Sequence, residues 1–207
     1  MKPTEPNPKP KPIILVLSGP SGVGKDYILN TIKAQPIAAN LAFIVTNTTR
    51  PIRKGEIRDA HYHFVTPDEF QRMIAAGELL EYAQVYGNWY GVSKESVRTE
   101  LAAGKDVIIK FDIQGAQAIK HAIPQAVLVF LSPPSLSELA ARLSRRNTES
   151  PTDLARRLKT AEDEMTTVPD FDYVVVNQTD QADRAITTLK AIITAEKHRV
   201  NRGELPL

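Results

Sequence analysis

The chain has 207 residues, of which 42% are hydrophobic and 24% charged, and its formal net charge is +2. This size and composition are typical of a globular protein that can bury a core. The chain contains no cysteine, which excludes disulfides and thiolate sites and favours a reducing, cytoplasmic location. The basic residues are dispersed along the chain, which does not favour nucleic acid as a partner. No apolar run approaches the roughly 18 residues of a membrane span, which does not favour a membrane.

The two ends of the chain are predicted to be tails. Residues 1–12 contain five prolines and no apolar segment of the kind found in a signal peptide, so they are interpreted as disordered or polyproline-like. Residues 199–207 follow the last helical pattern and form the predicted C-terminal tail. The region between them, 13–198, is predicted to fold as one domain.

Five short apolar runs alternate with longer helical patterns along this domain. Runs that are apolar almost throughout are typical of strands covered on both faces. The alternation therefore predicts an α/β fold in which helices flank a parallel sheet. The predicted strands are 13–17, 42–46, 106–112, 126–132 and 172–177.

Helix starts are marked by local capping signals. Thr66 and Ser135 are each followed three residues later by glutamate, and both sequences predict a capping box. Pro151 is predicted to lie in the first turn of another helix. A last amphipathic helix is predicted over 181–198.

Residues 47–95 have a different composition, polar and rich in Arg, Tyr and Gly. Some fifty residues without secondary structure would be unusual within a compact domain. The segment is therefore predicted to be an inserted lobe that carries a binding site.

The first strand leads into the sequence SGPSGVGKDY, residues 18–27. It contains the pattern G-x-x-x-x-G-K between a strand and a helix, which predicts a phosphate-binding loop for ATP. The glycines allow backbone N–H groups to face phosphate oxygens, and Lys25 adds a positive charge. Asp26 stands where the pattern has Ser or Thr, whose hydroxyl reaches Mg²⁺. The predicted ATP-binding residues of the loop are Gly19, Pro20, Ser21, Gly22, Val23, Gly24, Lys25 and Asp26.

Further motifs follow this loop in a fixed order: TNTTRPIRKGEIRDAHYHF at 46–64, GELLEYAQVYGNWYG at 77–91, DIQGA at 112–116 and RRNTES at 145–150. Together with SGPSGVGK they resemble the guanylate kinase family, which phosphorylates GMP from ATP. The resemblance covers residue 13 to about 197. It implies a P-loop NTPase core (13–46 and 96–198), a GMP-binding lobe at about 47–95 and a lid at about 143–158.

The resemblance also implies roles for individual residues. Four side chains match those that hold the GMP phosphate, where guanidinium forks and phenol hydroxyls suit a dianion: Arg50, Arg53, Tyr62 and Tyr90. Three match residues around guanine: Glu81, which accepts from the N1–H and the amino group, Thr46 and Asp112. Asn177 matches a position near the adenine of ATP. The implied catalytic residues are Lys25, Arg50 and the lid arginines Arg146 and Arg157. The implied cofactor is Mg²⁺, and GMP and dGMP are the implied acceptors.

Three positions depart from the family pattern. Asp26 replaces the loop hydroxyl, Lys110 stands where an acidic residue is usual, and Val92 replaces a Ser or Thr near guanine. Asp26 could bind Mg²⁺ as a hard oxygen ligand, with Lys110 as an added cation near the phosphates. Alternatively, Asp26 and Lys110 could simply pair, which would leave a weak or inactive kinase.

Two other functions stay open from the sequence. The GKD ending of the loop is shared with ribose 1,5-bisphosphate kinase, a guanylate-kinase-like relative. A phosphopeptide-binding module without kinase activity could use the cradle formed by Arg50, Arg53 and Tyr62. The sequence does not indicate an oligomeric state.

Overall fold

The computed structural model of the protein describes residues 10–53, 55–85, 87–144, 151–201 and 203–206. Within these residues the regular structure consists of seven α-helices and nine β-strands. The strands are β1 (Ile14–Ser18), β2 (Leu41–Ile44), β3 (Thr46–Thr48), β4 (Tyr62–Phe64), β5 (Leu79–Val85), β6 (Asn88–Ser93), β7 (Asp106–Lys110), β8 (Val127–Ser132) and β9 (Tyr173–Val176). The helices are α1 (Lys25–Lys33), α2 (Pro67–Ala75), α3 (Lys94–Ala102), α4 (Ile113–Ala122), α5 (Leu136–Ser144), α6 (Pro151–Met165) and α7 (Ala182–Lys197).

The main sheet has the strand order β2-β7-β1-β8-β9, and every neighbouring pair is parallel. Helices α1 and α7 pack on one face, where Ile28 and Leu189 join the core, and α3 and α4 cover the other with Val97 and Ile119. The carboxyl ends of the strands therefore form one edge of the sheet, the usual place for a ligand in this architecture. This arrangement confirms the predicted α/β fold with a parallel sheet flanked by helices.

A second, four-stranded sheet with the order β4-β3-β6-β5 lies within residues 46–93. In it β3 pairs parallel to β4 and antiparallel to β6. Phe70 of α2 is fully buried and stacks on Trp89 with ring centroids 5.9 Å apart. The segment thus has a core of its own beside the main sheet.

The single strand predicted over 42–46 was wrong in its boundaries. The chain leaves the main sheet after Ile44 and enters the second sheet at Thr46. An uninterrupted apolar run does not reveal that a chain changes sheets, because both halves have strand character. Likewise β9 is not covered on both faces, because Val174 and Val176 on this edge strand are 52% and 44% exposed.

The two predicted capping boxes have different outcomes. At α2 the box is complete: the Thr66 hydroxyl accepts from the Glu69 N–H, and the Glu69 carboxylate accepts from the Thr66 N–H at 2.7 Å. At α5 only half of it forms, because the Ser135 hydroxyl accepts from the Glu138 N–H at 3.2 Å. The Glu138 carboxylate is used elsewhere, by Arg142 and Thr179. The N–H of Thr179, distant in sequence, thus bonds Glu138 in place of the Ser135 N–H that a complete capping box would use.

Within the described ranges, no helix combines the length and the apolar character needed to cross a membrane. Most of the predicted N-terminal tail, residues 1–9, and the lid motif at 145–150, which includes Arg146, lie outside the described residues. Lys11 pairs with Glu204 at 3.4 Å, which links the two ends of the described chain.

Candidate active site

The phosphate loop joins the end of β1 to the start of α1, and its backbone requires glycine. Gly19 has φ 136°, and a Cβ atom there would lie 2.2 Å from the Leu131 carbonyl oxygen. Gly24 caps α1 with φ 103°. A side chain at either position would combine backbone strain with a collision. Glycine therefore allows the loop to pass close to β8 at Gly19 and close to Asn177 at Gly24.

Lys25 opens α1 and turns back into the loop. Its Nζ donates to the Gly19 carbonyl at 2.5 Å and to the Pro20 carbonyl at 3.2 Å. Burial lowers the pKa of Lys25 to about 8, although nearby Glu164 works to raise it. The ammonium group therefore occupies the loop in the position from which it could serve a phosphate.

The loop is also held by Asn177, the residue that follows β9. The side chain of this buried residue donates from Nδ2 to the Val23 carbonyl at 2.8 Å. Arg142 of α5 reinforces the contact, with bonds to the Val23 carbonyl at 3.3 Å and the Asn177 carbonyl at 2.7 Å. Sequence reasoning missed Arg142; its spacing of four from Glu138 could have indicated the ion pair, but not the contact with the loop.

A second polar cluster lies in the four-stranded sheet around Arg50. The guanidinium carbon is 5.2 Å from the centroid of the Tyr62 ring, and the rings of Tyr62 and Tyr90 are 6.0 Å apart. The structure thus brings together three of the four residues expected at the GMP phosphate. The fourth, Arg53, is exposed beside them, and its N–H donates to Glu56 at 2.8 Å. We call Arg50, Tyr62 and Tyr90 the acceptor cluster.

Glu56 orients Arg50 and was not predicted. Its two oxygens accept from Nη1 and Nη2 of Arg50 at 2.9 and 2.8 Å, and Nη1 also donates to the Pro51 carbonyl at 2.7 Å. These bonds use the end of the guanidinium. The guanidinium also has a hydrogen bond with the side chain of Tyr90. Its Nε–H and second Nη2–H are not used by Glu56 or Pro51, and two such donors can serve phosphate oxygens. Glu56 is the last residue of the run RKGE within the second motif, but only the fold shows that its partner is Arg50.

The residues expected around guanine come from three strands and a helix end. Thr46 is buried in β3, directly beside Tyr62 in the register with β4. Glu81 is half-buried in β5, and burial together with the charge of Asp112 raises its pKa. Asp112 caps α4 by accepting from the Gly115 N–H at 2.8 Å. Val92, by contrast, is fully buried in the hydrophobic core beside α3.

An ion pair connects the phosphate loop with the acceptor cluster. Lys110 at the end of β7 donates from Nζ to Asp26 Oδ1 at 2.6 Å, and the same Nζ lies 5.0 Å from the centroid of the Tyr62 ring. Burial works to raise the pKa of Asp26, but the charge and hydrogen bond of Lys110 lower it overall. The pairing considered from the sequence is therefore present in the structure.

Acidic groups surround Lys25 as well. Glu164, near the end of α6, is half-buried, and burial raises its pKa to about 7, with Asp112 adding to the effect. Burial also raises the pKa of Asp112. Glu164 was not predicted, because its helical position gives no sign that α6 ends beside the loop. Arg157 lies partly buried on the same helix, whereas its neighbour Arg156 is exposed.

The donor set suits a metal that is shared with a nucleotide. No group of three His, Cys, Asp or Glu side chains in the described ranges could hold a metal on its own. Asp26 is 74% exposed and bonds Lys110 through one oxygen only. One carboxylate oxygen beside a phosphate loop fits Mg²⁺, which usually takes one or two carboxylates and completes its shell with phosphates and water.

The class of protein is that of P-loop phosphotransferases. It is defined by a glycine loop with its lysine at the carboxyl edge of a parallel sheet, near a separate arginine–tyrosine cluster. The sequence model of the guanylate kinase family matches residues 9–196. The chain belongs to the guanylate kinase family.

Individual relatives agree with this assignment. The chain is 45% identical to a guanylate kinase from Symbiobacterium thermophilum, with 94% of this chain and 90% of the relative covered. It is 42% identical to one from Alkalilimnicola ehrlichii, with 92% of each chain covered. The crystal structure of guanylate kinase from Anaplasma phagocytophilum superposes with a TM-score of 0.76 at 31% identity, covering 94% of this chain and 90% of that one.

Proposed function

We propose that this protein transfers the γ-phosphoryl group of ATP to the phosphate of GMP, giving ADP and GDP. The observation that carries the proposal is the contact of Lys110 with both Asp26 of the phosphate loop and Tyr62 of the acceptor cluster. Because that side chain spans both groups, a donor phosphate in the loop and an acceptor phosphate in the cluster would meet. The family assignment supports this function, and neither it nor the geometry favours a sugar-phosphate kinase or a phosphopeptide module.

The donor side consists of the loop and its supports. Backbone N–H groups between Gly19 and Lys25 would bind the phosphates of ATP, with the N-terminus of α1 adding its positive dipole end. Lys25 would exchange its two carbonyl partners for phosphate oxygens, which strengthens its hydrogen bonds. Asn177 would contribute by fixing the loop at Val23. Arg146 and Arg157 are proposed to neutralise the transferring group from the lid.

The acceptor side is proposed to bind GMP through its phosphate and its base. Arg50 would offer the phosphate its donors at Nε and Nη2, and the hydroxyl groups of Tyr62 and Tyr90 would supply further donors, with Arg53 at the rim. Glu81 would accept from N1–H and the amino group of guanine, an arrangement that adenine lacks. Thr46 and Asp112 are proposed to complete the base site.

Base selection must then depend mainly on Glu81. Val92 is fully buried among apolar side chains and has no hydroxyl to offer. A missing hydrogen bond of this kind is worth about 1 kcal/mol. We therefore expect guanine to be preferred over adenine, but by a smaller margin than a site with a hydroxyl at this position would give.

In the reaction, an ionised oxygen of the GMP phosphate attacks the γ-phosphorus of ATP in line. A new P–O bond forms there, and the bond between the γ-phosphorus and the β–γ bridging oxygen breaks, so that its electron pair leaves with ADP. The attacking oxygen carries no proton, so no general base is required. The contribution of the protein is positioning and charge neutralisation, as is general for phosphoryl transfer.

Asp26 is the residue proposed to hold Mg²⁺, directly or through water, together with the phosphates of ATP. The metal would neutralise phosphate charge and orient the γ-phosphoryl group. The exposed carboxylate can bind in this way through the oxygen that Lys110 does not use. The ion pair and a metal site are thus compatible.

One experiment tests the proposed function. ADP formation is measured in a coupled assay with ATP, Mg²⁺ and, in turn, GMP, dGMP, AMP or ribose 1,5-bisphosphate. Turnover with GMP and dGMP above that with the other two acceptors is expected. Two results would refute the proposal: turnover with ribose 1,5-bisphosphate but not with GMP, or no turnover with any of the four acceptors.

A further inference from the structure

Lys110 contacts the acceptor cluster as well as the phosphate loop. Its Nζ is 2.6 Å from Asp26 Oδ1 and 5.0 Å from the centroid of the Tyr62 ring, over its face. Arg50 approaches the same ring, with its guanidinium carbon 5.2 Å from the centroid. Two cations, one at the end of β7 and one just after β3, therefore converge on Tyr62.

Both of these cations have a carboxylate partner in the free protein. Arg50 is paired with Glu56 at 2.8 Å, and Lys110 is paired with Asp26 at 2.6 Å. Each pair has zero net charge, whereas the phosphate of GMP brings up to two negative charges. Releasing one of the cations from its carboxylate would leave a net positive charge beside this dianion and so strengthen its binding.

The Lys110 pair is the one that can open at little cost. The side chain of Asp26 is 74% exposed, so water can solvate its carboxylate when the contact breaks. The side chains of Lys110, Arg50 and Glu56 are only 22%, 9% and 19% exposed. Asp26 can therefore move into solvent, or toward ATP, while Lys110 stays beside Tyr62.

We propose that Lys110 binds the phosphate of GMP, and that Asp26 competes with that phosphate for the lysine in the free protein. This inference rests on the proposed function, because it assigns a further residue to the same acceptor site. It gives a purpose to a lysine at a position where the family pattern has an acidic residue. Lys110 would then lie between the acceptor phosphate and the loop that binds the donor.

The charge state of Lys110 agrees with this role. Burial works to lower its pKa, but Tyr62 and Asp26 raise it by more, so the amine is an ammonium group at neutral pH. An ammonium group carries three donors, enough for Tyr62 and a phosphate oxygen together.

The test is equilibrium binding by calorimetry at neutral pH, without ATP and without metal, using GMP and guanosine as probes. For Lys110→Met we expect GMP to bind about tenfold more weakly, since a charged hydrogen bond is lost. For Asp26→Asn we expect GMP to bind several times more tightly, because the competitor is gone. The double variant should bind GMP as weakly as Lys110→Met, and guanosine affinity should stay unchanged throughout.

The control is Lys105→Met. Lys105 stands immediately before the opposite end of β7 and is also ion-paired, with Glu100 at 2.9 Å, so its loss should leave GMP affinity unchanged. Unchanged affinity in Lys110→Met would overturn the inference. So would recovery of wild-type affinity in the double variant, since Lys110 would then serve only to neutralise Asp26.

If Lys110→Met does not fold, as judged by thermal unfolding, Asp26→Asn alone decides: tighter GMP binding supports the inference, and unchanged or weaker binding overturns it. Wild-type protein that binds no GMP at all would instead refute the proposed function. The two failures are therefore distinguishable.

Discussion

Replacing Gly24 by alanine should destabilise the protein by more than backbone strain alone explains, and it should also weaken ATP binding. Gly24 has φ 103°, and a Cβ atom there would lie 2.7 Å from Asn177 Nδ2, the group that bonds the Val23 carbonyl. The backbone strain costs about 1–2 kcal/mol. Displacing Asn177 adds about 1 kcal/mol for the lost hydrogen bond, and more if the carbonyl is left without a partner. The expected total is roughly 2–4 kcal/mol of folding free energy.

Gly104→Ala is the matched control for this variant. Gly104 has φ 78°, and no heavy atom lies within 4 Å of a Cβ built there, so the variant carries backbone strain without a collision. Urea unfolding should show that Gly24→Ala loses at least about 1 kcal/mol more than Gly104→Ala. Calorimetry should show weaker ATP binding for Gly24→Ala only, with GMP affinity retained in both. Equal destabilisation of the two variants and unchanged ATP affinity would refute the argument that Asn177 holds the loop.

Four further predictions follow from the pKa values and from helix capping. Burial lowers the pKa of Lys25 to about 8, and the charge of Glu164 works to raise it. We therefore expect kcat/KM for ATP to fall above about pH 8, and Glu164→Gln to move that fall to lower pH. An unchanged pH profile in the variant would contradict this prediction. Because the pKa of Glu164 is raised from 4.5 to about 7, its contribution to wild-type stability should fall as pH rises from 4.5 through 7, and urea unfolding should find that Glu164→Gln loses less stability than wild type over this range. Arg50 holds the pKa of Glu56 below its usual value, so Glu56→Gln should lose about 1–3 kcal/mol at pH 7, and the difference from wild type should shrink as pH falls below 4.5. Thr66→Ala should cost about 1 kcal/mol by removing the cap of α2, with the KM for ATP unchanged.

The phosphate loop shows how much of a site local sequence can carry. Its glycines and Lys25 are adjacent in the chain, and their conformation depends on φ values that glycine alone adopts easily. The alternation of apolar runs with helices similarly predicted the parallel sheet, and the family resemblance was confirmed by the comparisons. The roles of the individual site residues stay predictions.

Other parts of the site depend on contacts that no local pattern contains. Asp26 and Lys110 are 84 positions apart, and Arg142 reaches Val23 over 119 positions. These contacts exist because parallel strands bring their carboxyl ends to one edge, and the strand order is not written in any single segment. Val92, which stands where the family pattern has Ser or Thr near guanine, is buried in a hydrophobic cluster that also includes Val97 of α3 and residues of the main sheet.

The sequence by itself determined the fold class, the family and the phosphate loop of this protein, because periodicity, turn residues and motif spacing act over a few neighbouring residues. The tertiary structure alone decided that Glu56 holds Arg50, that Glu138 accepts from Thr179 rather than completing its capping box, and that Lys110 lies between Asp26 and Tyr62. Charged side chains pair with the groups that the packed fold brings near them, and local sequence does not show which groups those are.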